Sequence, residues 1–274
     1  MFFQIFIPIL IFIFGLVLGS FTTCYSYRMI NNISIFKVKR SFCPKCKHEL
    51  KWYDNIPLFS YVFLGGRCRY CHEKISIRYP LIEFSMSILF LLIYFEYFYF
   101  LNNFNYIFSV QNLLYVIAFC LAIFALINVL LIDKEIMTIP LSLDIVLGFG
   151  AVLYYVTKCI YEKNFVLTNF LTFVVVLLVF LSIFFIGEFV VHKELIGLGD
   201  VIIISILALI FGIFGSLLFI LLSSLSASII EGIKASKLKE RKEFPFGPYI
   251  AVSGIITLFV FDIINTSLIS FFII

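Results

Sequence analysis

Seven apolar stretches organise the chain, roughly residues 2–24, 81–101, 112–132, 141–157, 165–187, 201–230 and 246–274. A helix needs about 20 apolar residues to cross the hydrocarbon core of a bilayer, so each stretch reads as a spanning helix. The stretch 201–230 is too long for one comfortable span and too short for two full ones, and Gly212 and Gly215 near its middle offer a turn. In the first stretch Gly15 and Gly19 form a GxxxG spacing that lets another helix approach closely. That stretch has no basic residue ahead of it and no small-residue cleavage site behind it, so it reads as a retained helix rather than a removable leader.

The placement of basic residues decides how 201–230 is used. With two short helices there are eight spans and the N-terminus lies outside. The inner loops 25–80, 133–140, 188–200 and 231–245 then hold 11, 1, 1 and 5 Lys plus Arg, which is 18 of the 20. With a single helix the split falls to 13 against 7. Inner loops of membrane proteins carry the excess of Lys and Arg, so eight spans are expected. Composition agrees: 63% of residues are hydrophobic and 13% charged, against about a quarter charged in a soluble domain. The expected fold is an all-α polytopic membrane protein of about eight transmembrane helices, with a small cytoplasmic domain between the first and second. Its parts are residues 1–24, the first helix; 25–80, a cytoplasmic metal-binding domain; and 81–274, a membrane domain.

The polar segment 25–80 is too small for a large core, and domains of that size usually need a staple. Two CxxC pairs, Cys43–Cys46 and Cys68–Cys71, stand 21 residues apart within it. Two such knuckles supply the four thiolates of a closed tetrahedral zinc site, which is structural rather than catalytic. Lys45, Lys47, Arg67 and Arg69 would offset its negative charge. Four free or redox thiols are the other reading, and His48 or His72 could stand in for a cysteine. Cys24, Cys120 and Cys159 lie in or beside apolar runs and read as small apolar fillers.

Acidic residues at membrane edges are costly and need a reason. Asp133 closes the third span, and Asp200 ends Gly197-Leu198-Gly199-Asp200 and opens the sixth. The eight-span topology puts both at the cytoplasmic edge. Two aspartates sharing a proton can hydrolyse a peptide bond without a metal, one as base and the other as acid. Taken singly, each also fits a solvated loop residue or a helix cap. Because Asp200 begins a helix and Asp133 ends one, the helix dipoles assign Asp200 as base and Asp133 as acid. Glu83 faces the cytoplasmic side and is placed to meet a basic peptide. Glu96, Asp144, Glu188 and Asp262 read as structural or water-facing.

In this order the motifs resemble the bacterial prepilin peptidase family, or type IV leader peptidases, GxGD-type aspartyl membrane proteases. The resemblance begins with Gly19-Ser20-Phe21 and Arg28 and runs through both cysteine pairs, Asn55-Ile56-Pro57-Leu58-Phe59-Ser60-Tyr61, and Ile75 to Pro80 with Glu83. It continues with Ile132-Asp133 and Pro140, Gly197 to Val201, and Phe244-Pro245-Phe246-Gly247-Pro248. It implies cleavage of prepilins or pseudopilins after the glycine that ends a short basic leader. In bifunctional members it also implies N-methylation of the new terminus with S-adenosylmethionine. It makes Asp133 and Asp200 the catalytic pair and Cys43, Cys46, Cys68 and Cys71 the zinc ligands. Ile202, Glu135, Leu141 and Thr22 or Thr23 depart from the family pattern, which bears on the surroundings of the pair and on methylation. The expected place is the bacterial inner membrane, with the metal domain and active site facing the cytoplasm. The expected partners are prepilins and membrane lipids, with no nucleic acid. A zinc-ribbon transporter or membrane scaffold is the alternative. The sequence is silent on oligomeric state.

Overall fold

The structure is a computed structural model that describes residues 2–35, 40–98, 109–163, 166–193, 195–238 and 244–272, with side chains from residue 5 to 260. Lys37 and Lys39, the basic residues at 239, 241 and 242, the Asp262 side chain and the ends of three of the apolar runs lie outside the described residues. Helices are the regular elements: α1 (Phe2–Ile30), α2 (Phe59–Phe63), α3 (Arg78–Phe98), α4 (Val110–Ile136), α5 (Leu141–Glu162), α6 (Leu167–Ile186), α7 (Leu198–Leu238) and α8 (Gly247–Phe272). Among the described residues six helices are long and apolar enough to cross a membrane, and α8 adds the shorter apolar stretch Gly247–Val260. The chain divides into two compact units, residues 1–106 and 107–274.

In the first unit α1 and α3 lie against each other. A Cβ built on Gly15 would stand 2.5 Å from Ser87 Cα, and one on Gly19 2.6 Å from Glu83 Cα. Both separations are too short for any side chain. The GxxxG spacing is therefore a helix contact, as small residues at membrane interfaces allow. Phe14 packs on Phe90, with ring centroids 6.2 Å apart.

In the second unit α4 is the most enclosed of the spans, with Ala122, Ile123, Ala125, Leu126 and Ile132 fully buried. Beside Gly254 of α8, Leu207 of α7 and Leu126 of α4 close the space. That layer fixes the register at the end of the bundle. Seven residues on from Leu126 is Asp133; seven back from Leu207 and Gly254 are Asp200 and Gly247.

The helix α7 is not straight. At Gly212 φ is 64° and ψ −165°, a region open essentially to glycine alone. The first arm carries Asp200 in its first turn, within electrostatic reach of Asp133. The second arm carries Glu231, which accepts a hydrogen bond from Tyr249 in the first turn of α8, two residues from Gly247. A straight helix would separate residues 200 and 231 by roughly 46 Å. Both ends reach the same end of α8, so the chain turns back at Gly212. Phe211 and Phe219 meet across the turn at 5.9 Å. The two short arms expected from the charge distribution are present, and with them the apolar helices number eight among the described residues.

Breaking a helix inside an apolar layer exposes carbonyls, and each unsatisfied group there costs free energy. Asn169 of α6, 5% exposed, answers that need: its Nδ2 donates to Leu209 O at 2.9 Å and Ile210 O at 3.2 Å. Asn169→Leu leaves both carbonyls without a donor and should cost about 1–3 kcal/mol. Thermal unfolding in detergent should show this loss, with Asn169→Gln recovering part of it.

Candidate active site and metal centre

In the first unit the two CxxC pairs fold as two copies of one hairpin. Cys43 N–H donates to His48 O and Lys47 N–H to Cys43 O; Cys68 N–H donates to Glu73 O and His72 N–H to Cys68 O, all at 2.9–3.0 Å. Lys47 and His72 take φ of 59° and 57°, which closes each turn. Antiparallel bridges Phe42–Glu49 and Arg67–Lys74 seal them. The four Sγ atoms lie within 4.8 Å of one another, and Cys43 and Cys71 are 3.9 Å apart. Zinc–sulfur bonds of about 2.3 Å in a tetrahedron put sulfurs roughly 3.8 Å apart, so the cluster has the size and donor set of a four-sulfur metal site. Burial opposes ionisation of Cys43, but the N–H groups of Cys46 and Lys45 outweigh it and bring the thiol down to about 7. Neither histidine belongs to the cluster: the His48 ring instead lies 3.7 Å from that of Tyr70.

Asp54 ties the second hairpin down. It is buried and accepts from Arg69 Nε at 2.7 Å, Tyr70 Oη at 2.9 Å and Lys51 N–H at 3.1 Å. Burial works against its charge, yet these donors hold the carboxyl below its usual range. Glu83 does not wait for a basic peptide. It is 8% exposed and accepts the N–H of Leu58 at 2.8 Å, holding a residue whose φ is 60°. Between the hairpins and the ends of α1 and α3 lies a cavity of about 330 Å³, whose wall includes Arg28, Tyr61, Tyr79 and Glu83.

In the second unit Asp133 sits in the last turn of α4 at 5% exposure. Met137, in the left-handed region, caps that turn by donating its N–H to Asp133 O at 2.9 Å. The Asp133 carboxylate accepts the N–H of Gly247 at 2.9 Å. The first turn of a helix has N–H groups without intrahelical acceptors, and Gly247 opens α8 just before Pro248, which has none to give. A Cβ on Gly247 would stand 2.6 Å from Asp133 Oδ2. The Phe244–Pro248 motif was visible in sequence, but nothing there tied its glycine to Asp133, 114 positions away.

Asp200, half-buried, lies in the first turn of α7. A Cβ on Gly199 would stand 3.0 Å from Ile139 Cβ, so that glycine lets the helix start against the segment following Asp133. Asp133 acts electrostatically on Asp200, and so does Asp144 from the first turn of α5. Both expected aspartates thus lie within electrostatic reach of each other, together with a third carboxyl, that of Asp144, 6% exposed, which reads from sequence as structural or water-facing. Glu96 is buried in α3, and Glu188 is exposed where α6 ends.

A helical membrane protein with carboxyls converging from three helices, and a separate four-cysteine cluster, is the class that fold and site define. Residues 13–97 match the family described as Bacterial Peptidase A24 N-terminal domain, and residues 120–231 the Type IV leader peptidase family. A protein of Vibrio cholerae named prepilin leader peptidase/N-methyltransferase is 30% identical over 264 residues, covering 92% of this chain and 96% of its own length. Proteins of that name from Pseudomonas aeruginosa and Aeromonas salmonicida are 30% identical over 258 and 224 residues, covering 84% and 81% of this chain and 75% and 71% of their own. No solved structure matches the chain. The chain belongs to the type IV leader peptidase family.

Gly247→Ala should push the Asp133 carboxylate off its donor. Steady-state cleavage assays on the fraction that stays folded should show kcat down by roughly tenfold or more, since small misplacements of reacting groups cost that much. Asp54→Ala removes three hydrogen bonds to a charged group and should destabilise the hairpin pair by about 1.5–3 kcal/mol. A chelator competition assay should detect this as easier metal loss.

Proposed function

We propose that the protein is a prepilin leader peptidase of the bacterial inner membrane. It cleaves basic leaders of prepilins or pseudopilins after glycine at the cytoplasmic face, then N-methylates the new terminus with S-adenosylmethionine. The observation that carries the reading is the meeting of Asp133 and Asp200 from separate helices in one layer, one of them held by Gly247. Family membership and the names of the relatives support both activities and do not favour the transporter or scaffold reading. The cytoplasmic orientation rests on the 18 of 20 basic residues in the inner loops. Residues 1–24, 25–80 and 81–274 are proposed as the functional division of the chain, while the compact units part between residues 106 and 107.

The dipole assignment made from α4 and α7 alone needs revision. Asp133 does end α4, but it also receives a donor from the start of α8, and such a hydrogen bond stabilises a carboxylate. Asp200 has the Gly197 backbone within reach of one oxygen, but among the described residues its other oxygen is buried with no partner, and no N–H from a facing helix reaches it. In our reading Asp133 is therefore the ionised base and Asp200 the protonated acid. Asp133 takes a proton from water as its oxygen attacks the scissile carbonyl carbon. Asp200 gives its proton to the carbonyl oxygen; as the tetrahedral centre collapses, Asp133 passes the proton it took from water to the leaving amine and Asp200 recovers one from the hydroxyl, which restores both groups.

The four thiolates would hold zinc in a closed shell, which staples the hairpins together and leaves no position for substrate. The methyl donor supplies the methyl group when bound, and the cavity beside the hairpins falls within the size range of small-molecule pockets.

Co-expression with a prepilin, followed by mass spectrometry of the product's N-terminus, tests cleavage and methylation together. Wild type should give a shortened, methylated product. Asp133→Asn and Asp200→Asn should each leave the leader in place while the protein still accumulates in the membrane. Cleavage surviving both substitutions rules the peptidase reading out.

A further inference from the structure

Asp144 has no structural task in the second unit. It stands in the first turn of α5, where an acid often caps the helix, yet no N–H reaches it: the N-cap is Pro140, and Asp144 Oδ1 is buried without a partner. Several other buried polar side chains of this unit are bonded to the backbone: Thr172 to Thr168 O, Ser205 to Val201 O, Ser223 to Ile220 O and Thr257 to Ser253 O; Ser216, past the turn at Gly212, also keeps an unpartnered hydroxyl, but it carries no charge. Asp200 also keeps one buried oxygen without a partner, and the two residues stand in the first turns of helices that run side by side: a Cβ on Gly199 would lie 3.0 Å from Ile139 Cβ, and one on Gly148 3.7 Å from Ile206 Cδ1. Two orphaned oxygens on adjoining first turns are one feature rather than two defects.

Among the described residues no Lys, Arg or His pairs with Asp133, Asp144 or Asp200. Three neighbouring carboxyls in a poorly solvated place cannot all be ionised without a cation. The Gly247 donor belongs to Asp133, so the one charge is best placed there.

We propose that Asp144 is a positioning residue of the catalytic pair: a neutral carboxyl in the working enzyme that acts through Asp200, holding that side chain toward the substrate and keeping a second negative charge out of the site. This rests on the peptidase reading. Asp144 touches no reacting atom, and its proton is not consumed in the reaction.

The prediction distinguishes a neutral hydrogen-bonding group from a charged one. Asparagine copies a neutral carboxyl in shape and in having a donor, whereas alanine removes it. With purified full-length protein in lipid nanodiscs and a prepilin substrate, Asp144→Asn should keep kcat within about threefold of wild type, and Asp144→Ala should lose about tenfold or more in kcat with KM unchanged. Melting temperature is measured alongside. At neutral pH, infrared spectra of protein with isotope-labelled aspartate should show one protonated carboxyl band fewer in Asp144→Asn than in wild type.

An Asp144→Asn protein that melts normally but is as impaired as Asp144→Ala, or that loses no protonated band, would overturn the proposal by showing that the charge is needed. Full activity of Asp144→Ala would overturn it by showing that the residue does nothing. If wild type leaves the prepilin intact, or Asp133→Asn and Asp200→Asn still cut it, the peptidase reading fails instead.

Discussion

One hydrogen-bonded break in a helix underlies the carboxylate site. At Gly212 the backbone takes a conformation that a side chain would forbid, and Asn169 reaches from α6 to satisfy the carbonyls left open. The turn-back allows α7 to start beside Asp133 and finish beside Tyr249, both at the end of the unit where α8 begins. Without it Asp200 and Glu231 would lie at opposite ends of a single rod. The bilayer makes the arrangement demanding, because an unbonded carbonyl in hydrocarbon has no water to turn to. A buried asparagine in an otherwise apolar helix is the molecule's solution.

The first unit solves a different problem. A polar segment of this size cannot bury enough apolar surface to hold itself, so its order comes from local devices. Two hairpins of identical hydrogen bonding bring four sulfurs together, Asp54 fastens one of them, and Glu83 holds the bend at Leu58 against α3. The charged residues in and around that segment serve as braces. Glu83 illustrates the point: a carboxylate that looked available to a basic peptide is occupied by its own backbone.

Much of this was legible in the sequence. Apolar runs gave the spans because lipid imposes a length, and the excess of Lys and Arg in alternate loops pointed to the break at 212–215. The CxxC spacing foretold the four-cysteine cluster, since knuckle geometry is local. Gly15 and Gly19 gave a close helix contact, though not its partner. What stayed hidden was long-range. No pattern links Gly247 to Asp133, and a helix dipole read from α4 alone missed the helix that faces it. Asp144 looked like any acid in a first turn, because being unpartnered is a property of packing and not of spacing. Asn169 was one polar residue among apolar ones, and its purpose appears only with the broken helix beside it.

The most direct test is cross-linking in the native membrane of a chain with cysteines at positions 133 and 200, in a background where Cys24, Cys120 and Cys159 are replaced by serine and the metal cluster is kept. Mild oxidation should join the two positions rapidly, giving the linked peptides after proteolysis, while a control pair at 133 and 214, an exposed position just past the turn, stays unlinked. Failure of the 133–200 pair to link, even with a flexible bifunctional reagent, would mean that the two aspartates do not meet.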